Sequence, residues 1–440
     1  MSIYKKPGVQ STVNVSPLLA VTPGGIRVAY LVGTGATTKN TTQVVTRAVG
    51  TVDTLDPSAS SITRAYPLSL YPDFSSSLYS LFNGNIKWDV TSDPTAVPAY
   101  NDDYYIDYVY DKVDADYEPK EFTDMASVIT EYGTAATGNS LSIGAQLVFE
   151  NGASIVGTVQ IKSTGNEYVD FKTALAKLEL VEDAEVIVPL YANSVFSATE
   201  LKSHIVRMSS KPERKERVGL VSLDETLESI SLSSWELLAE GLASKRMALI
   251  YPGKINKILD EGEVILDGTY LAAAIAGLMT SAAYDSAEPI TFKDLFGIVD
   301  VSINILNTSK NQLATSGILI VDKRGATPYV RHGLTTDMTT IAGQEISITT
   351  SIDTVVKGLR DTLEGVFIGK KFIATLPSQV AMSTQTYLLQ QITDNMITAY
   401  TNLNVTRDTT DPRQVNIKVN VMPMFPCNWI EIDMTLIPSA

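Results

Sequence analysis

Val415-Asn416-Ile417-Lys418-Val419-Asn420-Val421, the break Pro423-Met424-Phe425-Pro426, and then Trp429-Ile430-Glu431-Ile432-Asp433-Met434-Thr435-Leu436 close the chain. Apolar and polar residues alternate on both sides of the break, which predicts two half-buried β-strands. A strand so close to a terminus must pair, because an unpaired edge is a template for another chain. Val415, Ile417, Val419 and Val421 read as the core side of a receiving sheet. Ile430, Ile432, Met434 and Leu436, or a strand just beside them, read as the piece shared with a neighbour. The pattern leaves open which of the two strands crosses.

With 440 residues the chain exceeds one typical core and predicts roughly two to four domains. A content of 44% hydrophobic and 19% charged residues fits a globular protein. The net charge of −15 argues against direct nucleic-acid binding, which needs a basic surface. One cysteine, Cys427, excludes an intrachain disulfide framework and fits a reducing cytoplasm. The start lacks an apolar signal region, and the most apolar run, 271–279, is too short to span a bilayer, so no membrane insertion is expected. A soluble protein made inside a cell is the expectation.

Texture divides the chain further. Residues 1–20 carry Lys5 and Lys6 but no acidic side chain, and Pro7 and Pro17 bar a helix, so an extended N-terminal arm is expected. Residues 21–35 hold a first core strand ended by Gly33-Thr34-Gly35. Residues 36–165 read as a mainly β inserted domain facing outward, with a hairpin about Asn151-Gly152 joining 142–149 to 153–161. Residues 166–327 alternate strands and helices, the mark of an α/β domain. Its first helix, 168–180, should bury Val169, Leu175 and Leu178. Residues 328–440 read as an α+β domain: Ile352, Val355, Val356, Leu359 and Leu363 follow helical spacing, and a second helix over 378–403 should turn Tyr387, Leu388, Ile392, Met396, Tyr400 and Leu403 inward. Terminal β-strands complete a multidomain α/β and α+β chain.

Residues able to do chemistry are sparse. His204 and His332 are the two histidines, and neither accompanies a Gly-x-Ser-x-Gly elbow. With one cysteine they make no typical zinc set. Asp102, Asp103, Asp107, Asp111, Asp114 and Asp116 lack calcium-loop spacing and read as a solvated acidic face. Gly33-x-Gly35 lacks a third glycine and reads as a turn. No catalytic residue, metal or cofactor is expected.

Several passages resemble the sheath subunit of contractile phage tails and related injection machines. Tyr4-Lys5-Lys6-Pro7-Gly8-Val9 is similar to that family's arm, and Val28-Ala29-Tyr30-Leu31-Val32-Gly33 to its first strand. Tyr251-Pro252-Gly253 with Gly268-Thr269-Tyr270 and 273–277 resembles its "Pro-Gly … Pro-Ala-Ala-x-x-Ala-Gly" passage, with Tyr270-Leu271 in place of Pro-Ala. Asn311-Gln312-Leu313 to Gly317-Ile318, Ile352-Asp353 to Leu359, and the closing strands follow in the family's order. The matches cover the arm and roughly 168–437.

The resemblance implies a structural protein, not an enzyme. It implies stacked hexameric rings forming a helical sheath around an inner tail tube protein, with baseplate and tail terminator proteins as further partners. It also implies a subtilisin-like central domain and a place in the virion after assembly in the host cytoplasm. Terminal arms would donate strands to neighbours, assigning Ile3, Tyr4, Pro7, Gly8, Val9, Val13 and Val15 to one donated segment. The alternatives are the sheath of a phage-tail-like bacteriocin or secretion system and, from another class, a carbohydrate-binding adhesin on the virion surface using Tyr104 and Tyr105. A hydrolase using Ser203 or His204 completes the set.

Overall fold

A computed structural model describes residues 27–69, 72–190, 194–301 and 305–435. The arm residues Ile3 to Val15, and Leu436, lie outside the described residues. The chain divides into two compact units: residues 35–118 with 128–134, and a larger unit holding the remainder.

The larger unit is built on an eight-stranded sheet in the order Thr327–Val330, Ile318–Arg324, Met247–Tyr251, Val218–Ser222, Ala184–Pro189, Val28–Gly33, Val156–Gln160, Lys120–Phe122. The inner strands run parallel and only the two edge strands are antiparallel. Unbroken apolar runs such as Val28–Gly33 and Met247–Tyr251 are buried along their whole length, as strands covered on both faces must be. Helices Glu167–Lys177, Ser194–Met208, Leu232–Leu242 and Asn307–Thr315 cover one face, with Phe171, Leu201, Trp235 and Leu313 in the core beneath them. Helices Ser140–Glu150 and Thr269–Met279 cover the other. These two pack so closely that a Cβ on Gly277 would stand 2.4 Å from the Val148 carbonyl oxygen. The small-residue stretch 270–277 is what permits that approach.

Three local expectations are corrected. The hairpin about Asn151-Gly152 does not form: Ser140–Glu150 is a helix, and Val156–Gln160 is a parallel strand beside Val28–Gly33. Leu141, Ile143, Leu147 and Val148 are all buried, and a short run that is apolar on every side does not distinguish a covered helix from a strand. Gly152, at φ +96°, follows the helix end rather than turning a hairpin. Residues 135–165 consequently belong to the larger unit instead of an inserted β domain. In the helix Glu167–Lys177 the buried positions are Asp170, Phe171, Ala174 and Leu175, followed by buried Leu178, whereas Val169 faces solvent.

The smaller unit is mainly β. Asp103–Asp111 is the middle strand of an antiparallel sheet between Thr38–Thr46 and Ser61–Pro67. A second antiparallel sheet holds Val52–Asp53, Asn85–Trp88 and Tyr79–Phe82. Their shared core contains Trp88, Ile86, Tyr104, Ile106 and Tyr108.

The chain closes with helix Ile346–Phe367, helix Leu376–Thr393 and a ribbon of two strands, Ile397–Arg407 and Val415–Pro423. The second helix therefore stops ten residues before 403, another correction. Asn395 adopts φ +56°, which breaks the helical backbone, and Tyr400 and Leu403 lie on the ribbon. The last expected strand is likewise absent among the described residues: 424–435 follow the ribbon without secondary structure. Alternation alone does not make a strand when no partner backbone is at hand.

Candidate assembly surface

The ribbon lies on the two closing helices. Ile397, Met396 and Val421 are buried with Val355 and Leu388. Val405, Val415 and Ile417 pack against Leu359, Leu363, Leu376 and Val380. Lys418, Asn420 and Met422 point to the exposed side, so the alternation read from the sequence sets the two faces. Each strand has the other as its one ladder partner among the described residues, which leaves an open edge on either side. A lone two-stranded ribbon is marginal in water, and the helices beneath supply the missing burial.

From Pro423 the chain runs on as an arm. Trp429, Ile430, Ile432 and Met434 are 81%, 80%, 77% and 81% exposed, alternating in part with Glu431 and Asp433. Four large apolar side chains thus stand exposed in one short segment, a feature that marks contact surfaces in general. Of the expected assembly residues, Val415, Ile417, Val419 and Val421 lie on the ribbon, and Ile430, Ile432 and Met434 on the arm.

Ion pairs fix this platform to the main sheet. Asp353 receives both guanidinium nitrogens of Arg246, at 2.5 and 2.7 Å. Arg360 pairs with Glu216 and donates to the Arg214 carbonyl, while Arg214 reaches Glu364 and Lys357 reaches Glu185. Glu185, Glu216 and Arg246 all sit at the amino ends of parallel strands. The charged stretch 211–217 is thus a docking seam for the helix Ile346–Phe367.

The two histidines lie in separate hydrogen-bond networks. His204 is buried, and its Nε2 stands 2.7 Å from Nη1 of Arg217, whose other nitrogen donates to the Leu178 and Val181 carbonyls. Nε2 must accept that bond, so the ring is neutral. Desolvation, then the neighbouring Arg217 charge, lowers its pKa from 6.5 to about 3. Between those values the unfolded chain binds the extra proton, so stability is complete above pH 6.5 and falls as pH drops toward 3. At about 1.4 kcal/mol per pH unit, His204→Gln should remove roughly 2–3 kcal/mol of the loss in urea-unfolding stability between pH 6.5 and 4.5. An identical acid loss in both proteins would show that His204 titrates freely. Ser203 is exposed and donates to the Thr199 carbonyl, giving no nucleophile–base pair with His204.

The tyrosine-rich strand fits a sugar site no better. Tyr104 is fully buried, donating to Asp53 beside the Trp88 indole, with its hydroxyl pKa pushed upward by burial. Tyr105 stacks on Tyr66 at 5.3 Å on the other face. Asp107 accepts from Thr42 and Arg64, and Asp103 from Thr46.

Parallel α/β sheets commonly bind ligands where strand order reverses, outside the strands' carboxyl ends. Here that point lies between Val28–Gly33 and Ala184–Pro189. It is filled: a Cβ on Gly144 would stand 2.4 Å from Leu190 Cδ1, and the Thr34 amide donates to Ser140 Oγ at 2.7 Å. Gly33 is the last residue of its strand and Thr34 follows it against this plug, so the turn expected at Gly33-x-Gly35 does not form. Among the described residues no helix is long and apolar enough to cross a membrane.

Comparison with known proteins finds similarity to tail sheath proteins. A tail sheath protein of Mycobacterium phage Bxz1 is 27% identical over 338 residues, which is 74% of this chain and 57% of that protein. A tail sheath protein of Bacillus phage SP01 is 29% identical over 210 residues, 45% of this chain and 35% of the relative. The matched regions thus span little more than half, and about a third, of those relatives' own lengths. The helical sheath of the anti-feeding prophage in its contracted state superposes with a TM-score of 0.61 at 13% identity, over 98% of this chain and 99% of that one. The contracted sheath complex of an extracellular contractile injection system, PVC, gives 0.59 at 12%, over 99% and 98%. No family model matches. The mixed α/β, multi-sheet fold is therefore one seen in contractile sheaths, and the curated relatives carry the sheath name.

Proposed function

We propose that this relative of the contractile tail sheath proteins is itself a sheath subunit. Copies join as stacked hexameric rings around an inner tube and shorten together, driving the tube through a target envelope. The observation that carries the reading is the pairing of an exposed apolar arm with an open-edged ribbon in the same chain. A strand laid along a ribbon edge gains backbone hydrogen bonds, and alternate side chains set its register. Val415, Ile417, Val419 and Val421 would form the receiving side, and Ile430, Ile432 and Met434 the donated side, with Leu436 continuing it. Ile3, Tyr4, Pro7, Gly8, Val9, Val13 and Val15 are assigned to the second donated segment. The partners are further copies, the tube protein, and the baseplate and terminator at the two ends. The place of action is a virion, after assembly in the host cytoplasm. No catalytic step is part of this role.

The phage relatives favour a tail over the sheath of a bacteriocin or secretion system. Negative-stain electron microscopy of the concentrated protein should show rings or tubes, and removal of residues 1–16 should leave structures that fragment. A protein that stays monomeric at high concentration refutes the sheath reading. Intact tubes after the deletion refute the donated N-terminal arm alone.

A further inference from the structure

We propose that Asn428 is a latch that pins the root of the C-terminal arm to its own subunit until a neighbouring copy takes the arm. The inference rests on the reading of that arm as a donated segment. Among the described residues, the arm's side-chain hydrogen bonds to the rest of the unit all come from Asn428. Its Nδ2 donates to Glu345 Oε1 at 2.6 Å and stands 3.0 Å from His332 Nε2, which itself lies 2.7 Å from the same carboxylate oxygen. Glu345 is 4% exposed and immediately precedes the helix Ile346–Phe367. The neighbouring Cys427 and Trp429 are exposed, so the tie is confined to one side chain.

The amide orientation follows from chemistry. A carboxylate oxygen can only accept, so the amide group 2.6 Å from it must be the nitrogen. That orientation leaves Asn428 Oδ1 buried without a hydrogen-bond partner. The latch is therefore made to release easily. When Asn428 leaves, Glu345 keeps His332, so no buried charge is stranded, and Oδ1 gains water. A tie held by several satisfied bonds would compete with donation, while no tie at all would leave Trp429 and Ile430 free to join other arms at random.

Cys427, the chain's single cysteine, allows a nitroxide label beside the latch with no other change. In the full-length protein below its assembly concentration, the label should tumble several-fold faster in Asn428→Ala than in the wild type. Asn428→Asp, which sets a second carboxylate against Glu345, should match it. Unlabelled Asn428→Ala should assemble with a lag several-fold shorter and give tubes of unchanged diameter. Equal label mobility in all three proteins overturns the latch, as does slower assembly by a folded Asn428→Ala protein. A mobility difference in a wild-type protein that never assembles would instead overturn the sheath reading.

Discussion

Removing residues 424–440 should leave a folded subunit that no longer assembles. The described part of this segment has no secondary structure and carries its large apolar side chains in water, so its loss takes little from the subunit's own core. Burial of each such side chain against a neighbour is worth about 1.5–3 kcal/mol, offset in part by the cost of ordering the arm. Several of them together decide whether copies join. Sedimentation velocity and electron microscopy, with a urea-unfolding curve as control, check both halves of the expectation. Tubes from the truncated protein would place the joining surface elsewhere, whereas a collapsed unfolding midpoint would make the arm part of the subunit's core.

Asp353→Ala should cost about 3–5 kcal/mol of folding stability, the range for stripping one member from a buried ion pair. Asp353 and Arg246 have side chains only 9% and 12% exposed, and the pair is bidentate. Without Asp353 the guanidinium keeps only the Arg217 carbonyl, at 3.1 Å. Asp353→Asn, which retains shape and one acceptor oxygen, should lose less. Urea unfolding of both variants gives the comparison. A loss below about 1 kcal/mol for Asp353→Ala would mean that water screens the pair as it does at an open surface.

Much of this fold was legible because its signals are local. Buried strands such as Val218–Ser222 announce themselves as apolar runs, and Ile352, Val355, Leu359 and Leu363 mark one face of a helix that does pack inward. Where the reading failed, two structures shared one local pattern. Tyr400 and Leu403 continue the spacing of the preceding helix, yet the left-handed turn at Asn395 sends them onto a ribbon. Leu141 to Val148 are as apolar as any strand, and only the surface offered by Thr269–Met279 makes them a helix. The alternation at Ile430–Met434 predicted a strand, but these residues have no ladder partner within the subunit and no secondary structure. Contacts across long separations left no periodic trace: Arg246–Asp353 spans 107 positions and His332–Asn428 spans 96. The run of charges at 211–217, directly before a buried strand, was the one available hint of the seam.

A parallel sheet has two unlike rims. Enzymes of this architecture keep the carboxyl rim open and vary its loops to change their chemistry. This chain has done the reverse, filling the switch point of that rim with Leu190 and Ser140 and holding a helix at the amino rim through Glu185, Glu216 and Arg246. Changes in the closing helices and the ribbon they carry are thus available without disturbing the packed sheet, just as new substrates are available to an enzyme without rebuilding its barrel or sheet. The side of the fold that evolution usually treats as scaffold is here the side open to innovation.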